Sequence, residues 1–560
     1  MNYIIKQNGD DVIESIYSNR NLTNEQVDAW LGANSSHWED PNKYTNINQG
    51  YDLLMDTIEK GGDIWVLVDP DLDGYCSAAT IFNFIYDDLK YDNVWYMIKK
   101  KSKKSHGLDR EVIENVKQND IDLLIIPDGG TNDYGYQKEI SKLGVDILIL
   151  DHHIIEEKKD TNAIIINNQD GVVENIDLSG TGVTYKFVYH VAEKEGLDLG
   201  YKYLDLVALS LISDVCDMRS LENRFIFNLG CQKSNVTNKL MKSFVKDLKI
   251  KDKFTIEDMG YGVAPILNSI IRLSDGEEKE ELMESLLNSS EEVKYRYRSK
   301  DITQSIQDAI LRYGRKFKSR QKKMVEKAVE NIEVFNDKDD RILIVNSGDM
   351  PSEVRGLIAN KLMSEYSKPV LLLSGKDVLR GSARGLNSID FKDLCDKSML
   401  FTETIGHSNA FGCSINKDNV GKLVKFMNKE LLGVDLSNVT EIDYVYEGGI
   451  PLNDVLDLKD IEDLWCSTIK RPRVLVKNMI IDSSKMYKRG IDLSYKDENN
   501  VVYKRDYCSK KFFNDLICEQ DNENQDKMLN VNMICEVKVN NGYAYVNILD
   551  FESSVIEEVA

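Results

Sequence analysis

Five short apolar runs punctuate the segment 63–167: DIWVLVD (63–69), NVWYMI (93–98), IDLLIIPD (121–128), VDILILD (145–151) and NAIIIN (162–167). Polar or helix-patterned stretches of roughly 15–25 residues separate most of them, the spacing of βαβ units. A chain with this rhythm is expected to form a parallel α/β sheet. At roughly 100–200 residues per domain, the 560 residues amount to about three to five domains. Residues 1–55 read as a helical lead-in, in which LTNEQVDAWL (22–31) has Thr23 as its cap. The parallel-sheet domain spans 56–235 and includes a helix, KYLDLVALSLISD (202–214), that leads into another acidic turn. Residues 236–330 are rich in Glu, Lys and Arg with almost no strand signal, and read as a helical connector. A smaller α/β unit follows over 331–430, with RILIVNS and KPVLLLSG flanking the helix EVRGLIANKLMSEYS. From 431 to 560 the runs RVLVKNMIID, NVVYKR, LNVNMICEVKV and GYAYVNILDFE predict a small β-barrel or sandwich.

Composition narrows the class. An apolar fraction of 42% with 29% charged residues excludes a disordered or collagen-like chain. No apolar run approaches the ~18–20 residues of a membrane helix, and the N-terminus lacks the pattern of a secretory signal. Nine cysteines without one CxxC pair argue against a zinc knuckle or disulfide framework, so a cytoplasmic protein is expected. The net charge of −23 disfavours non-specific nucleic-acid binding over the whole surface. It leaves room for a local channel, and two basic clusters stand out: Lys99, Lys100, Lys101, Lys103 and Lys104, and Arg312, Arg315, Lys316, Lys318, Arg320, Lys322 and Lys323. Each cluster alone reads as a solvated face.

Acids recur where the chain leaves its predicted elements, and open α/β sheets build their sites at strand ends. DPDLDG carries Asp69, Asp71 and Asp73; PDGG carries Asp128; LDHH carries Asp151, His152 and His153; SDVCD carries Asp214 and Asp217. One such acid alone is a helix cap or Asx-turn. Four acid-bearing ends with an adjacent histidine pair form the mixed carboxylate–imidazole set that Mn2+ accepts. Crowded carboxylates repel one another unless a cation lies among them. The pattern predicts two divalent ions, Mn2+ first and Mg2+ second. Such ions lower the pKa of water and clamp the attacking and leaving oxygens of phosphoryl transfer.

The ordered set DPDLDG, PDGG, LDHH and SDVCD resembles the motifs of the DHH phosphoesterase superfamily. SGTGVTYK (179–186), the ENR at 222–224, APILNSIIRL (264–273), GSARG (381–385) and IGHSNAFGCSI (405–415) resemble its RecJ branch of single-strand-specific exonucleases. The resemblance runs over nearly the whole chain. It implies that Asp69, Asp71, Asp128, His152 and Asp214 are metal ligands. His153 corresponds to a position that either braces a metal ligand or contacts the phosphate, Asp73 to a further catalytic acid or else a turn residue before Gly74, and Asp151 to a residue that orients the histidine pair. Asn268 and Arg272 correspond to residues along the DNA strand, and Ser382 and Arg384 to a pocket for the 5′-terminal phosphate. His407 corresponds to the histidine that faces the scissile phosphate. The implied architecture is a DHH domain, the connector, a DHH-associated domain and a C-terminal OB-like barrel.

The chain departs from the RecJ pattern in places. Ile405-Gly406 replaces two glycines, Asp217 follows Cys216 where proline is usual, and Asn167-Asn168 replaces Asn-Pro. KKKSKKSHGL (99–108) replaces an arginine-containing loop, with His106 and Gly107 at its turn. None of these changes removes an implied metal ligand. The resulting expectation is a metal-dependent 5′→3′ exonuclease for single-stranded DNA, serving repair or recombination. A single-strand-binding protein or helicase is its conceivable protein partner, and a membrane is not. The rival readings are a phosphodiesterase for short oligonucleotides or cyclic dinucleotides, which length-dependent cleavage would separate, and a non-catalytic DNA-binding relative, which would have lost metal ligands.

Overall fold

The structure is a computed structural model. It describes residues 1–556 except 8, 100–105, 158, 275, 298, 299, 331, 338, 349, 351, 387, 437–439, 484, 485, 490, 491, 506–513, 517–527, 541 and 542. The five apolar runs form one parallel sheet of the strands Ile64–Val68, Val94–Ile98, Leu123–Pro127, Asp146–Asp151 and Ile164–Asn167. Val94–Ile98 lies at one edge, followed in space by Ile64–Val68, Leu123–Pro127, Asp146–Asp151 and Ile164–Asn167. The second strand is therefore added on one side of the first and the third on the other. That reversal opens a crevice between the C-terminal ends of Ile64–Val68 and Leu123–Pro127, where open α/β sheets bind ligands.

Both faces of the sheet are covered, which is why its strands are apolar throughout rather than alternating. Helices Leu72–Asn83, Gly180–Lys194 and Leu204–Ser213 join the larger core on one face. Helices Arg110–Gln118 and Tyr134–Ser141 bury Val112, Ile113, Val116 and Ile140 on the other.

The second α/β unit is a six-stranded mixed sheet, in the order Phe401–His407, Ala410–Asn416, Val378–Arg384, Val370–Ser374, Leu343–Asn346, Glu333–Val334. Helix Ser352–Tyr366 packs on it through Val354, Ile358, Ala359 and Leu362. The C-terminal region is β-rich, as expected. Its seven strands run from Tyr444–Glu447 at one edge to Tyr487–Arg489 at the other, and among the described residues no pairing closes a barrel.

Two regions differ from the sequence reading. The connector contains a hairpin, Glu292–Tyr297 with Lys300–Ser305, ahead of the long helix Ile306–Glu330. EVKYRY does alternate Val293, Tyr295 and Tyr297 with charged residues, but the run is only six residues long and its partner KDITQS is polar, so the charge-rich connector masks the hairpin. The lead-in is helical and Thr23 caps Asn24–Leu31 through a capping box, but the segment is divided between two cores. Val12, Ile16, Val27 and Trp30 are buried with residues of the C-terminal sheet, while Ile47 and Leu54 pack beside the parallel sheet. Strand Tyr3–Ile5 pairs with Thr440–Ile442. The Arg20 fork donates to both oxygens of Asp443 at 2.9 and 2.8 Å.

Candidate metal centre

The loop after Ile64–Val68 enters helix Leu72–Asn83 with Asp71 as its cap, accepting from Gly74 N at 2.9 Å. Asp69, Asp73 and Asp128 are each about 1% exposed at this edge. Asp69 Oδ1 accepts from Gly107 N at 2.7 Å, and its Oδ2 lies 2.5 Å from His106 Nδ1. His106 is the residue whose role the sequence leaves unassigned. It stands in the loop after the edge strand Val94–Ile98, and its only signal is the His-Gly pair. Gly107 has φ +69°, and a Cβ there would meet Asp133 Oδ2 at 2.4 Å and Gly130 N at 2.8 Å. The tight turn therefore admits glycine and aims His106 at Asp69. Lys99 also turns inward rather than lining a channel: its Nζ is 3.8 Å from Asp69 Oδ1 and from Asp109 Oδ2. Lys100, Lys101, Lys103 and Lys104 lie outside the described residues. In the second basic cluster Arg315, Lys316, Lys318, Arg320, Lys322 and Lys323 are exposed on helix Ile306–Glu330.

Asp73 is held differently. Its Oδ1 accepts from Thr181 N (2.8 Å), Thr181 Oγ1 (2.6 Å) and Ser210 Oγ (2.5 Å), and its Oδ2 from Gly180 N (2.8 Å). The carboxylate thus ties two helices together, and only Oδ2 retains capacity towards the site, 3.8 Å from His152 Nε2. Asp151 is also committed: Oδ1 accepts from His152 N, His153 N and His153 Nδ1, and Oδ2 from Thr131 N. Burial would raise its pKa, but the hydrogen bond and charge of His153 hold it below the ordinary carboxylate range. Burial opposes the charged form of His153, and Asp151 outweighs it, raising His153 to about 9.

Asp128 is the contrast. It follows Leu123–Pro127 with φ +63°, and its Oδ1 has no hydrogen-bond donor although buried. His152 Nε2 stands 3.2 Å from that atom. Burial, then the charges of Asp73, Asp71, Asp69 and Asp214, push the pKa of Asp128 well above the ordinary range. Asp214, at the end of helix Leu204–Ser213, has its Oδ2 3.7 Å from His152 Nε2 and is pushed up to about 7, by burial first and Asp73 second. Asp71 is raised by burial and by Asp69.

Three sets, the last two sharing His152, each bring their donor atoms within 4.8 Å of one another: Asp69, Asp71 and His106; Asp128, His152 and His153; and Asp73, His152 and Asp214. An orphaned buried carboxylate oxygen among oxygen and imidazole donors fits a divalent cation, whose charge would cancel the repulsion.

Asn268 and Arg272 lie one turn apart on helix Ala264–Leu273. Gly314 lets that helix approach Ile306–Glu330, since a Cβ there would meet Ile266 at 2.3 Å. Arg272 is solvent-exposed, yet surrounding protein pushes its guanidinium down, as expected for the wall of a cleft; Asp71 partly offsets this. Arg384 is pushed down by burial and then by the like charge of Arg272. Gly356 leaves room for it, as a Cβ there would stand 2.5 Å from Arg384 NH2. Ser382 lies two residues earlier on the same strand, so it shares a face with Arg384. Ala410 pairs with Arg384 on one side and His407 on the other, so these positions share one row of the sheet. The His407 side chain is outside what the structure describes.

Residues 63–211 match the DHH family, N-terminal domain. A protein carrying the name of an SPbeta prophage-derived single-strand DNA-specific exonuclease, YorK, from Bacillus subtilis is 28% identical over 95% of this chain and 93% of its own length. The single-stranded-DNA-specific exonuclease RecJ of Bacillus subtilis is 24% identical over 82% of this chain and 58% of that protein. Among solved structures, RecJ in complex with Mn2+ from Thermus thermophilus matches with a TM-score of 0.68 at 16% identity, covering 98% of this chain and 79% of that one. Exonuclease RecJ bound to manganese matches at 0.55 and 18% identity, over 70% of this chain and 96% of that one. Residues 63–211 therefore match a DHH-family N-terminal domain, within a chain whose fold is like that of RecJ.

Proposed function

We propose that this protein is a metal-dependent exonuclease that hydrolyses single-stranded DNA from its 5′ end. The observation that carries the reading is Asp128: a carboxylate with an unpartnered oxygen beside His152, raised by burial first and then by four neighbouring acids. Asp69, Asp71 and His106 would hold one divalent ion. Asp128, His152 and Asp214, with Asp73 through its free side, would hold a second. Bound there, Mn2+ or Mg2+ would supply Lewis acidity to a phosphodiester and lower the pKa of the attacking water.

The chain's own residues do the rest. Asp151 fixes the ring of His153, which presents a proton towards the phosphate oxygens. Arg272 and Asn268 bind the strand from the connector. Arg384 and Ser382 receive its 5′-terminal phosphate, and His407 lies in the same row of the sheet. A guanidinium fork suits a terminal phosphate because that group offers more charge and more acceptor oxygens than an internal diester. The relatives named for single-strand-specific exonuclease activity support the choice of substrate. The described cysteines are free thiols, in keeping with a cytoplasmic setting. No helix among the described residues is long and apolar enough to cross a membrane.

The test is digestion of strands labelled at either end, with and without Mn2+, comparing 5′-phosphate with 5′-hydroxyl ends. The 5′-phosphorylated strand is expected to have the higher kcat/KM, and Arg384→Ala to erase most of that preference. An unchanged ratio, or degradation from the 3′ end, would overturn the pocket and favour a general DHH phosphodiesterase.

A further inference from the structure

Residues 233–253 carry seven lysines and two aspartates in a chain of net charge −23. Lys242, Lys246, Lys249 and Lys251 are exposed, and among the described residues none meets a carboxylate. With Lys233 they rim a groove of about 560 Å3 floored by Val236, Val245 and Ile250. Of the two aspartates, Asp247 is taken by Arg315, while Asp252 accepts Lys233 N through its backbone carbonyl. Lys242, Lys246 and Lys249 follow one another at intervals of four and three residues, so their charges line one face of helix Lys239–Asp247 and the turn after it.

The groove continues onto the C-terminal sheet. Lys251 Nζ lies 4.6 Å from the ring centroid of Tyr543, which is 72% exposed at the start of the last strand. Glu257 locks the seam behind it, accepting from Lys538 Nζ at 3.1 Å and Arg471 NH2 at 3.3 Å. This surface is distinct from the metal centre. Asp205, at the start of helix Leu204–Ser213, accepts from Thr237 N and Asn238 N at 2.8 Å each, whereas Asp214 ends the same helix about 14 Å away.

We propose that the groove and Tyr543 form a second binding track, which holds a length of single-stranded polynucleotide outside the catalytic cleft. A line of unpaired point charges matches a linear polyanion, and an exposed ring at its end offers a face on which a base stacks. An acidic protein segment would have no use for that ring. The proposal rests on the single-strand reading above.

Binding is measured in chelator, so cleavage plays no part, with oligothymidylates of about 40 and about 6 nucleotides. The variant Lys242→Ala/Lys246→Ala/Lys249→Ala/Lys251→Ala is expected to bind the long strand about tenfold to a hundredfold more weakly at low salt, with the salt slope shallower by roughly three. Short-strand affinity should hold, because that strand fills the cleft alone. Tyr543→Ala should weaken long-strand binding several-fold and Tyr543→Phe should not. Unchanged long-strand affinity and slope in the lysine variant would overturn the track. So would polyglutamate binding to the wild type through these lysines while oligothymidylate ignores them. Wild-type protein that binds neither strand would sink the single-strand reading and the track together, which separates the two failures.

Discussion

Asp128 and Glu222 are both buried carboxylates packed on helix Gly180–Lys194, Asp128 at its first residue and Glu222 about 9 Å further along. Glu222 is fully answered. Its Oε1 accepts from Glu39 N at 2.7 Å and from Lys186 Nζ at 2.5 Å, and its Oε2 from Asn175 Nδ2 at 2.8 Å. Lys186 in turn lies 3.3 Å from the Trp38 ring centroid. Asp128 has an orphaned oxygen and four acids around it. Burying an ion costs several kcal/mol unless charge and hydrogen bonds compensate. One cluster therefore closes with the chain's own atoms, and the other is left to a proton or, on the proposed reading, to a cation from outside.

The sharpest way to break the contrast is Asp128→Ala. Cleavage should fall by several orders of magnitude, since what is lost is stabilisation of transition-state charge. Metal-free Tm should rise, because one repelling carboxylate is gone. Near-normal turnover by the folded variant would remove Asp128 from the centre.

Lys186→Met probes the closed cluster. It leaves Glu222 without its cation and should cost about 3–5 kcal/mol in chemical denaturation. Activity per folded molecule should persist, and adding Glu222→Gln should recover much of the loss. A neutral single variant would mean that the pair is not desolvated as described.

A smaller effect is set by pH. Asp214 is raised to about 7 in the fold, against about 3.9 for an unfolded carboxyl. A raised carboxyl favours folding when protonated. The metal-free protein should therefore lose stability as pH climbs from about 4 to about 7, and saturating Mn2+ should flatten that slope. A metal-free Tm that does not fall across this window would contradict the crowding.

The candidate metal centre is legible in the sequence because its residues sit at chain positions that announce themselves. Asp69, Asp128 and Asp151 end apolar runs, and Asp214 ends an apolar helix. The role of Asp73 is not legible, since its donors Thr181 and Ser210 lie more than 100 residues away. His106 is visible but carries no assignment, because an edge-strand loop full of lysines looks solvated until Gly107 turns it inward. The connector hairpin is masked by the charged residues that alternate with Val293, Tyr295 and Tyr297 and by the polar run KDITQS. The Lys242–Lys251 groove hides in a helix whose apolar face accounts for its sequence.

The lead-in buried against the C-terminal sheet bears on how the protein is made. Arg20 finds Asp443 across a separation of 423 residues. At about 5–20 residues per second, a ribosome needs roughly 20–85 seconds to deliver the second partner after the first. Throughout that interval Val12, Ile16, Val27 and Trp30 have no cover, while the parallel sheet beside them can already form. The nascent chain thus carries an adhesive segment at residues 12–30 until the strands from Tyr444 onward emerge, which makes it a target for chaperones that hold apolar segments.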